Sequence, residues 1–345
     1  MASRGRKEPV IDFGIASIGL SLGERDNVAD TAALYAVDPT QLQRRGYEHY
    51  HRAADSVTAT DLAAEAVAAA FADATVETSA VEYLILASSS VPEYLKWDAS
   101  TALARRANLG RIPTLLLTQT CASAVIAFQS AAGLFATRPD LDTVLLVAVN
   151  RVSEAHINRL SSNAESDGAA AVLLKRHHPE LRWLATEQVT EPAWADFFRL
   201  EYGGSAQPFP PRGTTNRDVD PQLQVLNEFR GRPDAFLEFS KTLDTRVADA
   251  VRAACDRVGV AVSDVSRLIY LNDSEESLRV VADSVGIAFE RMNADLSSAH
   301  GHFGCADPLI GLGIYRSQDQ LQKGEVVALA GLAQGMHWFC TLIEV

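Results

Sequence analysis

Cys121 lies in TQTCASAVIAF, where the apolar run TLLLTQ gives way to an Ala-rich helical pattern. A thiol at a helix N-terminus feels the positive end of the helix dipole and unpaired backbone N–H groups. Both favour thiolate and make a nucleophile. Filling core space with a small apolar side chain is the alternative use of such a cysteine. A second cluster, SSAHGHFGCADPLIGLG, carries His300, His302 and Asp307 around a Gly-rich turn. One imidazole there can act as base while Asp307 orients its ring and steadies the imidazolium. A third segment, GLAQGMHW from Gly331 to Trp338, ends an apolar run in glycine. The backbone N–H of Gly335 and that of Cys121 itself are candidates for an oxyanion hole. The other cysteines read as packing residues: Cys255 in mid-helix, Cys340 in the last apolar run, and Cys305 beside the His/Asp cluster. His49, His51, His177 and His178 fall in polar or charged runs.

These groups are far apart in the chain, so the fold must bring them together. YLILAS (83–88), TLLLTQ (114–119), TVLLVAVN (143–150), AAVLLK (170–175), RLIYLND (267–273) and VVALAGLAQG (326–335) read as buried strands. ATDLAAEAVAAAFADA and FLEFSKTLDTRVADAVRAACDRVG carry apolar residues at helical spacing. Such alternation predicts an α/β fold with helices on the faces of sheets. The pattern also repeats: helix, strand, candidate site, small-residue helix, strand, with about 60 residues from helix to site each time. The repeat predicts that Cys121 and His302 hold equivalent positions and meet by pseudo-symmetry. It divides the chain into a first half over 1–180 with the cysteine and a second half over 236–345 with the His/Asp motif. Between them, 181–235 reads as a linker and substrate-access loop. Its stretch EYGGSAQPFPPRGTTNRDVDP (201–221) is rich in Pro, Gly and polar residues, as a surface insertion would also be.

The 345 residues, 47% hydrophobic and 22% charged, describe a globular protein rather than a disordered or collagenous one. A net charge of −13 argues against nucleic acid, whose phosphates reward a basic face. No apolar run reaches the roughly 18 residues of a membrane span, so no membrane partner is expected. MASRGRKEPVIDF has a basic start but no apolar core, so no secretory signal is expected. The four cysteines form no CxxC pair, which argues against zinc and a disulfide framework. The expected compartment is the cytoplasm, where a special cysteine is a reactive thiol.

Together the segments resemble the thiolase superfamily, and within it β-ketoacyl-acyl carrier protein synthase III. RRGYEHYHRAADSVTATDLAAEA is similar to the family's early Arg–Gly segment and following helix, and TQTCASAVIAF to its nucleophile motif. SDGAAAVLL (166–174) is similar to its Gly-Asp-Gly-Ala strand entry, and GMHWFCTLIEV to its C-terminal strand. The resemblance implies a five-layered α-β-α-β-α fold of two pseudo-symmetric halves, and a homodimer paired through TLLLTQ. It implies acyl-CoA or an acyl carrier protein as partner, the acyl group riding on CoA or phosphopantetheine, with no tightly bound cofactor. Apart from the resemblance, Trp97 is a substrate-binding candidate as a pocket-shaping residue, and Arg45 and Arg159 as members of a local basic patch that grips the donor.

Two departures from that pattern redirect the chemistry. Where the condensing family has Pro-His-Gln-Ala-Asn, this chain reads RLIYLNDSEESLR and has no histidine; Asn272 stands there as a further hydrogen-bond donor. Where the family has Gly-Asn-Thr-Ser, this chain reads GHFGCAD, so His302 falls on the asparagine position. The His/Asn pair that would stabilise an enolate after CO2 loss is therefore absent. Cys121, His302 and Asp307 remain sufficient for ping-pong acyl transfer to a hydroxyl or amine, as in the synthase III-like acyltransferases of natural-product pathways. The alternatives are a true synthase III that condenses a starter unit with malonyl thioester, and a non-catalytic partner of a ketosynthase, although such partners generally lack the cysteine.

Overall fold

The computed structural model describes residues 11–74 and 76–345; most of the basic N-terminal segment, residues 1–10, lies outside them. The first half runs β1 (Phe13–Leu22), β2 (Glu24–Asn27), α1 (Val28–Thr31), α2 (Pro39–Arg44), β3 (His49–Arg52), α3 (Ala59–Asp73), β4 (Tyr83–Ser88), α4 (Ala99–Arg106), β5 (Thr114–Leu117), α5 (Ser123–Thr137), β6 (Thr143–Asn150) and β7 (Gly168–Arg176). The second runs β8 (Arg182–Thr190), α6 (Pro221–Glu228), α7 (Pro233–Thr245), α8 (Val247–Val258), β9 (Val265–Ile269), α9 (Glu275–Val285), α10 (Ala294–His300), α11 (Asp307–Ser317), β10 (Val326–Ala333) and β11 (His337–Glu344).

The large sheet has the strand order β5-β4-β6-β7-β1-β8-β11-β10-β9. Between β1 and β8 the ladder is a single pair, Gly14 with Arg182, so the series divides there into two sheets. Each sheet is built by the same rule. β1 is antiparallel to β7, β7 to β6, and β6 is parallel to β4. Likewise β8 is antiparallel to β11, β11 to β10, and β10 is parallel to β9. The duplication read from the sequence is thus a duplication of strand pairing, with β5 the one strand that has no counterpart.

Helices and sheets stack in five layers, three of helices and two of strands. α3 and α4 cover the outer face of the first sheet, and α8 covers the outer face of the second with α9 beside it. α5 and α11 lie between the sheets and touch strands of both. A helix apolar on all sides belongs in such a place. By length and composition Thr120–Thr137 would be apolar enough to cross a membrane, and its position between two sheets accounts for that composition. All eight residues of β6 are buried, as expected of a strand covered on both faces. α3 starts on a reciprocal cap: Asp61 N donates to Thr58 Oγ1 (3.2 Å) and Thr58 N to Asp61 Oδ2 (3.0 Å).

Three sequence expectations change. The segment 181–235 is not only a linker: it opens with β8, the first strand of the second sheet, because 182–190 pairs along the whole of β11. FLEFSKTLDTRVADAVRAACDRVG forms two helices, α7 and α8, that meet at Arg246. That guanidinium lies over the Trp338 ring (5.2 Å) and pairs with Glu191 (3.1 Å), which fixes the junction. Finally, the pseudo-symmetric counterpart of Cys121 is Cys305, not His302. The turns Thr120–Ala122 and Gly304–Ala306 lead into α5 and α11 respectively, with their first residues at φ +46° and +54°.

Candidate active site

The site forms where the two duplicated turns approach each other between the sheets. β5 ends at Leu117, and Thr120–Ala122 forms one tight turn before α5. Thr120 is held in left-handed backbone, which a β-branched residue adopts only under constraint. Its Oγ1 donates to Gln334 O (3.2 Å) in the turn between β10 and β11. This sharp bend places Cys121 at the head of α5, 8% exposed. Gly335 follows Gln334 at φ +83°, so the turn sequence reasoning chose for an oxyanion donor is tied to the cysteine's own turn.

His302 comes from the segment between α10 and α11. Its Nε2 lies 3.8 Å from Cys121 Sγ, and its Nδ1 lies 2.5 Å from Asp307 Oδ2. Asp307 begins α11 and is 1% exposed. Its Oδ1 accepts from Phe303 N (2.7 Å), and its Oδ2 also accepts from Asn272 N (2.9 Å). With Nδ1–H donated to Asp307, the opposite ring nitrogen faces the thiol. Burial disfavours charge on this ring, but the Asp307 and Glu165 carboxylates outweigh it and hold the imidazole pKa well above its ordinary value. Two glycines make the approach possible. A side chain at Gly168 would strike the Phe303 ring, and one at Gly304 would strike Ser89 and Asn150.

Asn272 does not face the cysteine. Its Nδ2 donates to Gly301 O (2.7 Å) and its Oδ1 accepts from Asn293 Nδ2 (2.8 Å). Asn293 in turn is bonded to the backbone of Tyr270 on both its N–H and C=O sides (2.8 and 3.0 Å). Asn272 therefore braces the chain next to His302 and reaches the site only through its backbone N–H to Asp307.

Arg159 is also corrected. It is fully buried, and it bonds Glu154 Oε1 (2.9 Å), Asp167 Oδ2 (3.0 Å), Glu165 O (2.9 Å) and His51 O (3.3 Å). Those bonds use the guanidinium as framework rather than as a substrate contact. Arg45 is half-buried with its Nε sealed and unbonded, and its carbonyl accepts from Glu275 N (2.9 Å). It borders a cleft of about 290 Å³ lined by Gln43, Gly46, Glu48, Asp273, Glu275 and others. Trp97 is half-buried in the loop between β4 and α4, edge-on to the exposed Tyr94 ring at 5.5 Å. His300 is occupied elsewhere: its Nδ1 lies 3.0 Å from His51 Nε2, and burial pushes its pKa down to about 4. His337 lies 3.3 Å from Gln119 Nε2 and bonds Gln188 and Thr190. Cys305 is sealed, its Sγ 3.5 Å from Val149 O, and burial pushes its thiol up to about 12.

Glu165 is the site residue that sequence reasoning missed. Ala164–Ser166 runs alongside His302, with His302 N donating to Ala164 O and Ser166 N to His302 O, both at 2.7 Å. Glu165 and His302 are thereby paired as in a parallel ladder, which sends both side chains to one face. The carboxylate is half-buried, and among the described residues it has no hydrogen-bond or ion-pair partner. Burial pushes its pKa up, opposed chiefly by the His302 ring and reinforced by Asp307. The signal available in the sequence was a carboxylate immediately before SDGA, at the mouth of an apolar strand.

Comparison with known proteins follows the same division of the chain. Residues 255–345 match the family model for the 3-oxoacyl-[acyl-carrier-protein] synthase III C terminal, and residues 42–168 match that for the thiolase N-terminal domain. The β-ketoacyl-[acyl-carrier-protein] synthase III of Oleidesulfovibrio alaskensis is 24% identical over 310 residues, covering 87% of this chain and 88% of that protein. Among solved structures, the acyltransferase ChlB3 superposes with a TM-score of 0.83 at 20% identity, over 97% of this chain and 98% of its own. The 3-oxoacyl-(acyl carrier protein) synthase III of Pseudomonas aeruginosa superposes at 0.78 and 21% identity, over 96% and 98%.

Proposed function

Because the chain belongs to the thiolase superfamily, with a second half of the synthase III type, we propose that it is an acyltransferase working by ping-pong through Cys121. The observation that carries this reading is the relay from Cys121 Sγ to His302 (3.8 Å) to Asp307 (2.5 Å). The raised pKa of His302 suits it to take the Cys121 proton. The thiolate attacks a donor thioester, forming the Cys121 acyl-enzyme. The departing thiolate of CoA or phosphopantetheine takes the imidazolium proton and leaves as thiol. Neutral His302 then removes a proton from the acceptor hydroxyl or amine as it attacks. When the C–S bond breaks, Cys121 returns as thiolate beside imidazolium, so each turnover restores the attacking pair. The backbone N–H groups of Cys121 and Gly335 are the proposed oxyanion donors. Arg45 and Trp97 remain the proposed contacts to the donor or acceptor. The donor is acyl-CoA or acyl carrier protein, and no tightly bound cofactor enters the scheme.

The competing reading is decarboxylative condensation, which the synthase names of the sequence relatives favour. Against it stands the RLIYLND segment: it supplies no imidazole, and the Asn272 side chain is turned away into its amide network. A donor screen read by intact mass tests the proposal, followed by an acceptor screen. Acyl transfer without CO2 release supports it. CO2 release with a β-keto thioester product selects condensation, and no adduct with any donor favours the non-catalytic partner. A homodimer is part of the proposal. β5 ends the sheet as an open edge, and Leu115, Leu116 and Leu117 on it are only half-buried, which supports pairing through that strand.

A further inference from the structure

We infer that the acceptor is a primary amine and that Glu165 is the residue that binds it and takes its first proton. The inference rests on the acyltransferase reading and narrows its second half-reaction. A hydroxyl acceptor loses one proton as it attacks a thioester, and His302 alone can take it. A primary amine near neutral pH arrives as an ammonium, with a reference pKa of about 10.4. It must lose one proton to become a nucleophile and a second to become an amide nitrogen. Such a site needs two proton acceptors that face the same point.

The structure provides them. The backbone pairing of Glu165 with His302 sends the carboxylate and the imidazole to one face. That strand segment is rigidly held, since Glu165 N donates to Arg159 O (2.9 Å) and Arg159 Nη1 donates back to Glu165 O (2.9 Å). The carboxylate has no protein partner among the described residues, and its oxygens are not sealed. In the acyl-enzyme His302 is neutral, so the half-buried carboxylate then lacks a counter-ion, which a bound ammonium supplies. Burial also strengthens Glu165 as a base, which narrows the gap to the amine. The neighbourhood agrees. The cleft lined by Glu48, Asp273 and Glu275 has no basic residue in its lining.

The protons balance. The ammonium bound at Glu165 gives one proton to the carboxylate, which later releases it to water. The amine nitrogen attacks the Cys121 thioester carbon, and the second proton passes to His302. The C–S bond breaks, giving an amide and the Cys121 thiolate beside imidazolium.

The test uses the isosteric probes 2-phenylethylamine and 2-phenylethanol with enzyme pre-acylated from an acyl-CoA panel. Intact mass follows the loss of the acyl group from Cys121. Wild type should deliver to the amine in preference to the alcohol. Glu165→Gln should still form the acyl-enzyme, more slowly because the Glu165 carboxylate helps raise the His302 pKa, and an unchanged circular dichroism melt certifies its fold. Starting from isolated acyl-enzyme, its ratio of amine to alcohol transfer should fall about 10²-fold, the scale of one general base, since any change at His302 bears on both acceptors alike. Glu165→Asp should recover part of the amine rate. An acyl-enzyme that does not prefer the amine, or a Gln variant that slows both acceptors equally, overturns the inference and leaves the acyltransferase reading standing. The absence of any acyl-enzyme in wild type overturns both.

Discussion

Asp307→Asn is the sharpest perturbation the site offers, because every neighbour of that carboxylate is a donor. Oδ2 accepts from His302 Nδ1 and Asn272 N, and Oδ1 accepts from Phe303 N. An amide has one oxygen. Keeping it at the Oδ2 position preserves the His302 contact but sets NH2 against the Phe303 N–H; the flipped amide sets NH2 against His302. Either way a buried donor is left unmade, at about 1–3 kcal/mol of stability. The charge-assisted bond to imidazolium is lost as well, worth about 1.5–3 kcal/mol. At about 1.4 kcal/mol per decade this slows acyl transfer by roughly 10- to 150-fold. The pH profile gives a second readout. Transfer requires neutral His302, whose pKa is raised, so the wild-type rate should climb with pH through a limb above the ordinary imidazole value of about 6.5. Removing the Asp307 charge removes the largest raising influence, so the limb should move to lower pH. The assay is single-turnover transfer from isolated acyl-enzyme between pH 5 and 9. An Asn variant with wild-type rate and an unmoved acid limb would refute the relay.

Cys121→Ala should abolish the acyl adduct and leave the melting temperature within a few degrees, since Ala is tolerated at a helix start; an adduct that persists, or that maps to Cys305, contradicts the assignment. Arg159→Leu should lower the free energy of unfolding in a urea titration by about 1–3 kcal/mol, because it leaves the buried Glu165 and His51 carbonyls without their donor while Asp167 keeps Arg151; no measurable loss would show that the network is not needed. Light scattering at micromolar concentration should give about twice the 37.2 kDa chain mass, and a monomer mass would contradict pairing through β5.

The parts of the fold that bury a continuous apolar run were legible in the sequence. β4 and β6 were read as strands because central strands covered on both faces are apolar on both. β8 was not, since RWLATEQVT mixes charge and polarity and its identity comes from pairing with β11. In the site, Cys121 was visible because a strand end and a helix start met at it. Asp307 was visible from its spacing after His302, and 2.5 Å is the distance that spacing allows. Arg159 and Asn272 were misread for a common reason: a sequence cannot tell a polar residue that faces substrate from one that satisfies buried backbone groups. Arg159 answers to Glu165 O and His51 O, and Asn272 to Gly301 O. Glu165 was missed because its role depends on a two-residue bridge to His302, made across 137 positions of chain that carry no local pattern.

The duplication explains why one turn carries a nucleophile and the other does not. Thr120-Cys121-Ala122 and Gly304-Cys305-Ala306 occupy equivalent turns ahead of equivalent helices, and both contain a cysteine. Their environments differ in two respects. Cys305 is sealed against Val149 O in a place where burial opposes thiolate, while Cys121 retains a small accessible surface and an imidazole at 3.8 Å. The first residue of each following helix also differs. Ser123 closes its own turn by donating to Thr120 O (2.8 Å), whereas the equivalent Asp307 reaches back across its turn to His302. A carboxylate at that helix start both satisfies the local N–H of Phe303 and orients the ring that serves the other half's cysteine. The asymmetry of the site follows from what stands at shared positions, Thr118 against His302 and Ser123 against Asp307. In the proposed mechanism the second half supplies the base, and the first half supplies the thiol and a strained turn to present it.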